Sequence, residues 1–226
     1  ALDGSLWLTW RRTVLPSSWI QVKSSNDNGA TWGSGPGDGG TQLSGAAMFV
    51  GGRLLLDSNN LHAFISYHNN RLAFRSRSLS GGAWTDEATV YTSSGIGNEF
   101  DVAVTDSGGL AVVLCDPLPR YREYDGFAWG AVNALDDRPA TSPQLTFRDG
   151  SPVIMYLAGI GPNQSALLHT ARIGGAFLTP AYVDRRCRTF DRALLYHAGS
   201  VSYQDVTSGA ADSNTGDLSH PLSGAT

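Results

Sequence analysis

A glycine followed three residues later by an aromatic residue recurs along this chain. The pairs are Gly29/Trp32, Gly81/Trp84, Gly126/Trp129 and Gly174/Phe177, about 50 residues apart. Glycine adopts the positive φ that tight turns require, and the aromatic ring returns a large apolar surface to the core where the next strand begins. Self-similarity at this period is typical of β-propellers, in which each repeat forms one small sheet.

A second periodic signal interlocks with the first. Short polar turns, such as the one at residues 57–60, separate apolar or alternating runs that favour strands. Each repeat therefore reads strand A, polar turn, strand B, loop, strand C, Gly-x-x-aromatic turn, strand D. The fourth strands are expected at residues 31–33, 84–91, 127–135 and 176–183. The pattern predicts an all-β propeller of four-stranded antiparallel sheets, with no convincing helical period.

The ends of the repeat pattern leave the number of blades open at four or five. The chain opens at strand B of its first repeat and closes with an A–B pair that ends at residue 206. Either the late A strand pairs with the first B strand and closes four blades, or the last pair belongs to an incomplete fifth blade. We expect a propeller over residues 1–206 and a polar C-terminal tail or linker over residues 207–226.

The first Gly-x-x-Trp turn lies within the octet S-x-D-x-G-x-T-W, whose defining residues are Ser25, Asp27, Gly29 and Trp32. The carboxylate of Asp27 can bind backbone groups two residues on and so close the turn. In the later repeats the Asp position holds Leu79, Tyr124 and Arg172. Those turns are expected to keep their shape and to lose one anchoring hydrogen bond.

The octet resembles the Asp-box, or BNR repeat, of sialidases and of other propellers, including sortilin-type receptors and phage and secreted binding modules. The resemblance implies a sialidase-like β-propeller and places this turn on the rim of a blade, away from a catalytic pocket. Catalytic sialidases also use an arginine trio, a Tyr–Glu pair and an acid/base Asp. Their Arg-Ile-Pro segment before the first Asp-box has no counterpart in this sequence, and Arg11-Arg12-Thr13 is a poor substitute for it.

Composition and charge exclude several classes of function. A net charge of −4 and a pI near 5.6 argue against nucleic-acid binding. The sequence also contains no run of 18 apolar residues of the kind that spans a membrane. No His or Cys pair has metal-ligand spacing, so neither a metal nor another cofactor is expected. Cys115 and Cys187 could form a disulfide or remain as buried free thiols. The start at Ala1 suits a removed leader, a processed precursor or an excised domain.

The irregular B–C and D–A loops should share one end of the propeller, and binding residues concentrate on such loops. The candidates there are Arg11, Arg12, Tyr67, His68, Asp116, Arg120, Tyr121 and Arg138. Aromatic faces with planar charged groups suit a sugar or an extended acidic partner. Alternation predicts that Tyr121 and Arg122 lie on opposite faces of their strand.

An enzymatic function has weaker candidates. The glutamates Glu87, Glu99 and Glu123 are expected on outer strands or loops, and only Asp101 and Asp116 offer a pair of carboxylates for glycoside hydrolysis. The sequence thus favours a non-catalytic, lectin-like binding or structural module that recognises a glycan or a cell-surface polymer. It would be secreted or part of a virion, as a fibre or decoration protein among sister subunits. The alternative is a sialidase-like glycoside hydrolase.

Overall fold

The computed structural model describes residues 4–14, 17–33, 39–45, 49–67, 71–92, 99–161, 164–184, 192–197, 200–205 and 220–221. Within these ranges all regular secondary structure is β. The strands are β1 (Leu6–Val14), β2 (Ser17–Ser25), β3 (Thr41–Gln42), β4 (Phe49–Leu56), β5 (Asn60–Tyr67), β6 (Arg71–Ser78), β7 (Ala88–Thr92), β8 (Phe100–Val104), β9 (Leu110–Asp116), β10 (Leu118–Tyr124), β11 (Asn133–Ala134), β12 (Ala140–Arg148), β13 (Ser151–Gly161), β14 (Gln164–Ile173), β15 (Ala176–Phe177), β16 (Ala181–Asp184), β17 (Arg192–His197), β18 (Ser200–Asp205) and β19 (His220–Pro221).

These strands form five antiparallel sheets in which neighbours in sequence pair with each other. Sheet 1 holds β1–β3, sheet 2 holds β4–β7, sheet 3 holds β8–β11, sheet 4 holds β12–β16 and sheet 5 holds β17–β19. Sheets 2, 3 and 4 show the predicted order A, B, C, D, and sheet 1 begins at strand B. In sheet 4 both β15 and β16 pair with β14. The prediction of four-stranded antiparallel sheets is confirmed for sheets 2 and 3, whereas sheet 4 has five strands and sheets 1 and 5 have three described strands each.

Sheets 1 to 4 pack face to face in chain order. One apolar cluster joins sheets 1 and 2, a second joins sheets 2 and 3, and a third joins sheets 3 and 4. Phe64 and Ile65 are neighbours on β5 and belong to different clusters, because successive side chains of a strand point to opposite faces. The first strand of sheet 3, β8, also contacts β4 and β12, the first strands of the adjoining sheets. The described sheets therefore fan around the side on which their A strands meet.

The glycine turns have the conformation that the recurrence predicts. Their φ angles are 89° at Gly29, 113° at Gly81, 102° at Gly126 and 60° at Gly174. Trp84, Trp129 and Phe177 each pack against the cluster between their own sheet and the preceding one. In sheet 3 the expected loss of an anchor is wrong, because Asp125, one residue after the drifted position, accepts the N–H groups of Phe127 and Ala128 at 2.8 Å.

An equivalent backbone hydrogen bond closes each of the four C–D turns, and it allows the residues of sheets 1 to 4 to be aligned with one another. The bonds run from Gly33 to Ser24, Thr85 to Ser76, Gly130 to Glu123 and Leu178 to Ala171, with N···O distances of 2.8 to 2.9 Å. The strand partners of the acceptor residues, Trp7, His62, Ala111 and Val153, are therefore equivalent. Counting from them identifies equivalent positions throughout sheets 1 to 4.

A charged side chain ties each of sheets 2 and 3 to its predecessor. Arg75 on β6 donates to the Thr85 carbonyl of its own turn at 2.6 Å and to the Leu43 carbonyl of sheet 1 at 2.8 Å. Arg122 on β10, at the equivalent position, makes the same two kinds of bond in sheet 3. Hydrogen bonds with an ionised donor are the stronger ones, so these arginines act as clamps between sheets.

The fourth strands are shorter than the sequence suggests. Residues 31–33 close the turn instead of forming a strand, and β3 pairs with β2 eight residues later. In sheet 2 the strand begins only at Ala88, and a register shift interrupts its pairing with β6. An outer strand has one neighbour, so it persists only where its side chains also pack on the next sheet. The predicted pattern marks apolar residues and cannot show this.

The C-terminal part follows the prediction incompletely. Strand β17 pairs with β18 inside sheet 5, and among the described residues β1 pairs with β2 alone. Of residues 207–226 only β19 is described, and it pairs with β18. The domain boundary at residue 206 and the number of blades remain predictions.

Candidate functional site

The octet around Asp27 forms a closed hydrogen-bonded turn. Asp27 accepts bonds from the Thr31 hydroxyl at 2.5 Å, the Thr31 N–H at 2.8 Å and the Ser25 hydroxyl at 2.7 Å. The Ser25 hydroxyl oxygen accepts the N–H of Gly29 at 2.8 Å, and the Trp32 ring lies next to Gly29. The Thr31 hydroxyl, its N–H and Ser25 lower the pKa of Asp27 to about 2. These residues build a hydrogen-bonded corner of sheet 1.

Replacing Asp27 with Asn should lower the melting temperature (Tm) at neutral pH, because the turn loses its ionised acceptor. A depressed carboxylate pKa adds stability above the unfolded value of 3.8, and this contribution disappears as the pH falls through about 2. The Tm of the wild type should thus approach that of the variant in acid. Asp86→Asn at another exposed position is the control. Parallel Tm curves for wild type and Asp27→Asn across this range would contradict the prediction.

The structure places three of the predicted binding residues at one equivalent position. Arg12, Tyr67 and Asp116 each lie five residues along strand B from the turn-register positions, at the end of the strand that leads into the B–C loop. In sheet 4 the same position is Ala158. These three candidates therefore sit one per sheet. Arg11 is the exposed neighbour of Arg12 on β1.

Tyr67 is buried between sheets 1 and 2, and 3% of it is exposed. Its hydroxyl donates to Glu87, which also pairs with Arg71, and the Arg71 guanidinium lies 4.5 Å from the centre of the ring. Burial first, and the Glu87 hydrogen bond second, raise the pKa of Tyr67. The ring thus belongs to the interface between the sheets and is closed to a ligand. His68 lies outside the described residues.

Tyr121 has a similar environment between sheets 3 and 4. It is fully buried, its hydroxyl donates to Glu123, and Arg172 of sheet 4 binds that carboxylate at 2.7 Å. Burial and the Glu123 hydrogen bond raise the pKa of Tyr121. Arg122 points to the opposite side and bonds sheet 2, so the predicted alternation is confirmed. Tyr121 joins two sheets and offers no open face for stacking.

Arg138 lies in the D–A connection of sheet 3, and its charge is already paired. It binds Asp136 at 2.6 Å and donates to the Tyr182 hydroxyl at 3.1 Å, and Tyr156 donates to Asp136 at 2.9 Å. Burial alone would raise the pKa of Asp136, and the hydrogen bonds from Arg138 and Tyr156 lower it.

Asp116 and Arg120 are the two predicted residues that the structure brings together. Asp116 ends β9 and Arg120 is the third residue of β10, and both lie close enough to Tyr91 on the outer strand of sheet 2 to shift its pKa. Burial, followed by the charge and hydrogen bond of Asp116, raises the pKa of Tyr91. All three side chains are partly exposed at the loop-rich end. We call Tyr91, Asp116 and Arg120 the rim cluster.

Arg12 offers a second open group at this end. Its guanidinium is exposed and lies 5.6 Å from the centre of the Trp19 ring on the paired strand. A guanidinium on an aromatic face is held in place yet keeps donors free for a partner.

Two further carboxylates lie on the side where the A strands meet. Asp101 on β8 pairs with Arg53 of sheet 2 at 2.9 Å and accepts the N–H of Leu145 in sheet 4 at 2.9 Å. Glu99 directly precedes β8 and accepts the N–H of Ser142 at 2.5 Å. Glu99 thus lies in a loop, as the sequence predicts, although this loop leads directly into the inner strand β8. The sequence carries no local signal of these contacts, because the donors are backbone N–H groups of another sheet.

Ser142 has an unusual backbone for a residue that is not glycine. Its φ is 52°, and the register between β12 and β13 shifts at this point. A bulge next to a positive φ marks local strain that the surroundings must hold. The carboxylate of Glu99 does so by binding the Ser142 N–H.

The sequence left the state of the two cysteines open, and the structure describes one of them. Cys115 is a free, buried thiol whose pKa burial raises, and Cys187 lies outside the described residues. The part of the chain that the structure describes contains no group of three residues able to hold a metal ion. It also contains no helix of the length and hydropathy needed to cross a membrane.

Comparison with known proteins identifies the architecture. No protein-family model matches the sequence, and no curated protein does. The solved structures that resemble it include a Penicillium chrysogenum α-L-arabinanase complexed with arabinobiose, at a TM-score of 0.58 and 11% identity over 89% of this chain and 74% of that one. A GH93 α-L-arabinofuranosidase of Fusarium graminearum with arabinobiose gives 0.58 and 12% over 89% and 71%. The chain has a β-propeller fold.

A third structure, the Trypanosoma rangeli sialidase in complex with the inhibitor DANA, has a TM-score of 0.53 and 15% identity over 76% of this chain. The chain spans 30% of that sialidase's length. At these identities the likeness concerns the propeller fold alone. In this fold the rim cluster and Arg12 lie at the end of the sheets that carries the B–C loops.

Proposed function

We propose that this chain is a non-catalytic propeller module that binds a glycan at its loop-rich end. The rim cluster carries the proposal. It joins a tyrosine ring, a carboxylate and a guanidinium, all partly exposed. Sugar recognition uses an aromatic face together with planar groups that bind hydroxyls, and these three side chains supply both. The arabinobiose and DANA complexes of proteins with this fold support a glycan as the partner.

The contacts of Asp101 support binding without hydrolysis. A glycosidase needs one carboxylic acid whose pKa is raised, so that it can protonate the leaving group. Among the described carboxylates, those with a shifted pKa all have it lowered: Asp27, Asp57, Asp125 and Asp136. Asp101 has one oxygen on Arg53 and the other on the Leu145 N–H. Asp101 and Asp116 thus belong to separate networks.

The location of the protein is part of the same proposal. We place the protein outside the cell or on a virion, as a fibre or decoration component beside sister subunits, on the strength of the octet around Asp27 alone. Detection of the protein in purified particles or in culture supernatant would support it. Recovery from the cytoplasm only would contradict it.

Binding can be tested on a glycan array that contains arabino-oligosaccharides and sialosides, followed by calorimetry on the best ligand. Arg120→Ala and Tyr91→Ala should each weaken binding about tenfold, which corresponds to about 1.4 kcal/mol. Arg148→Ala is the matched control, because Arg148 is an exposed arginine at the opposite, A–B end of sheet 4. Failure to bind any glycan would leave a purely architectural role.

Turnover assays separate binding from catalysis. Fluorogenic sialosides and arabinosides should remain intact with the wild-type protein. Hydrolysis that Asp101→Asn or Asp116→Asn abolishes would replace this proposal with the glycoside hydrolase alternative.

A further inference from the structure

One face of sheet 1 is open although its side chains are apolar. Leu6 and Leu8 on β1 are 43% and 49% exposed, and Trp10 continues the same face two residues later. The intervening Trp7 points the other way and packs against the cluster shared with sheet 2. We call the surface of Leu6, Leu8 and Trp10 the open face.

The equivalent positions in the next three sheets are all buried. They are Leu61, Ala63 and Ile65 in sheet 2, Leu110, Val112 and Leu114 in sheet 3, and Pro152, Ile154 and Tyr156 in sheet 4. In each of these sheets the preceding sheet packs on this face. The open face therefore has the position and the chemistry of a surface that receives another sheet.

The position of Lys23 on the same side of sheet 1 also indicates that the open face receives another sheet. Lys23 pairs with Leu8 in register, as Arg75 pairs with Ala63 and Arg122 with Val112. Both arginines bind a carbonyl of the preceding sheet. Lys23 therefore stands on the open side of sheet 1 at the position from which the two arginine clamps reach a preceding sheet.

We infer that sheet 5 of the same chain, through residues 192–205, covers the open face and closes the ring. Sheets 1 to 4 pack in chain order, so the sheet that follows sheet 4 is the one that can meet sheet 1 when the ring closes. Sheet 1 lacks strand A, and β1 forms its edge. An uncovered strand edge and an apolar face together favour association with another sheet.

The sequence of β17 fits a strand that packs on both sides. Its residues Ala193, Leu194, Leu195 and Tyr196 are apolar without alternation. A strand buried on both faces reads as such a continuous run. One face of β17 can then pack toward sheet 4 and the other on sheet 1, which makes five blades. This inference is independent of the proposed glycan site.

The test is Leu8→Glu in the full chain. A carboxylate placed under sheet 5 should lower the Tm by about 5 °C or more. Val132→Glu is the control, because Val132 is 42% exposed on the outer side of sheet 3. The same fall in Tm should follow Leu194→Asp or Leu195→Asp, whichever side chain faces sheet 1.

Side-chain footprinting of the unmodified protein gives a readout that does not depend on a variant folding. Hydroxyl radicals should oxidise Leu6 and Leu8 several times more slowly than Leu178, which is 42% exposed. Equal oxidation rates, or a Leu8→Glu variant as stable as Val132→Glu, would overturn the inference. A concentration-dependent dimer that Leu8→Glu dissociates would also overturn it, since a second copy would then cover the open face.

Discussion

Replacing Arg122 with Met is expected to lower the free energy of unfolding by about 2 to 3 kcal/mol. The guanidinium donates to three carbonyls, those of Gly130 at 2.6 Å, Trp129 at 3.2 Å and Val90 in the preceding sheet. Methionine keeps the apolar stem against the Trp129 ring but leaves these partly buried carbonyls without their donor. Urea denaturation of wild type and variant measures the difference.

Arg148→Met is the matched control for Arg122→Met. Arg148 is exposed and approaches only Asp149, at 3.7 Å, among the described residues. Exposed ion pairs contribute about 0 to 1 kcal/mol, so this variant should remain close to the wild type. Equal stability of the two variants would show that the inter-sheet bonds of Arg122 contribute nothing net.

Gly109→Ala should destabilise the protein by about 3 kcal/mol. A Cβ at this position would overlap the Tyr124 carbonyl oxygen and lie 3.2 Å from the Thr105 hydroxyl. The obstacle is backbone of the paired strand β10, which cannot move aside as a flexible side chain can. The strands β9 and β10 would have to separate where they enter the core between sheets 2 and 3.

Gly130→Ala provides the comparison for Gly109→Ala. Gly130 also faces a carbonyl of β10, that of Glu123, but its added Cβ would lie at an ordinary contact distance of 3.5 Å. Thermal and urea denaturation should therefore show little change for Gly130→Ala. A loss of similar size in both variants would mean that glycine's backbone freedom, rather than the close approach at Gly109, sets the effect.

Sequence reasoning succeeded where the information is local. The positive φ of Gly81 follows from the chemistry of the turn, and the opposite faces of Tyr121 and Arg122 follow from strand alternation. Strand order could be read because polar turns and apolar runs alternate at short range. The length of the outer strands could not, because it depends on packing against the next sheet.

The candidate site was predictable only in part for the same reason. Asp116 and Arg120 flank one short connection, so their proximity follows from the hairpin. Tyr91 comes from another sheet and carries no local signal of this contact. Tyr67 lies next to a loop and is of a residue type that often binds sugars. In the structure, however, its hydroxyl binds Glu87 and its ring contacts Arg71 between the sheets. Sequence separation hides these partners.

The equivalence of Arg12, Tyr67, Asp116 and Ala158 has a consequence for engineering. One backbone site holds a cation, an aromatic ring, an anion and a methyl group, so the scaffold tolerates very different chemistry there. A library that varies Arg12 and Asp116, the two members of this set that are not buried, can change selectivity while the buried members keep the sheets packed. The hydrogen-bonded corners and arginine clamps lie away from these positions and can be kept constant throughout.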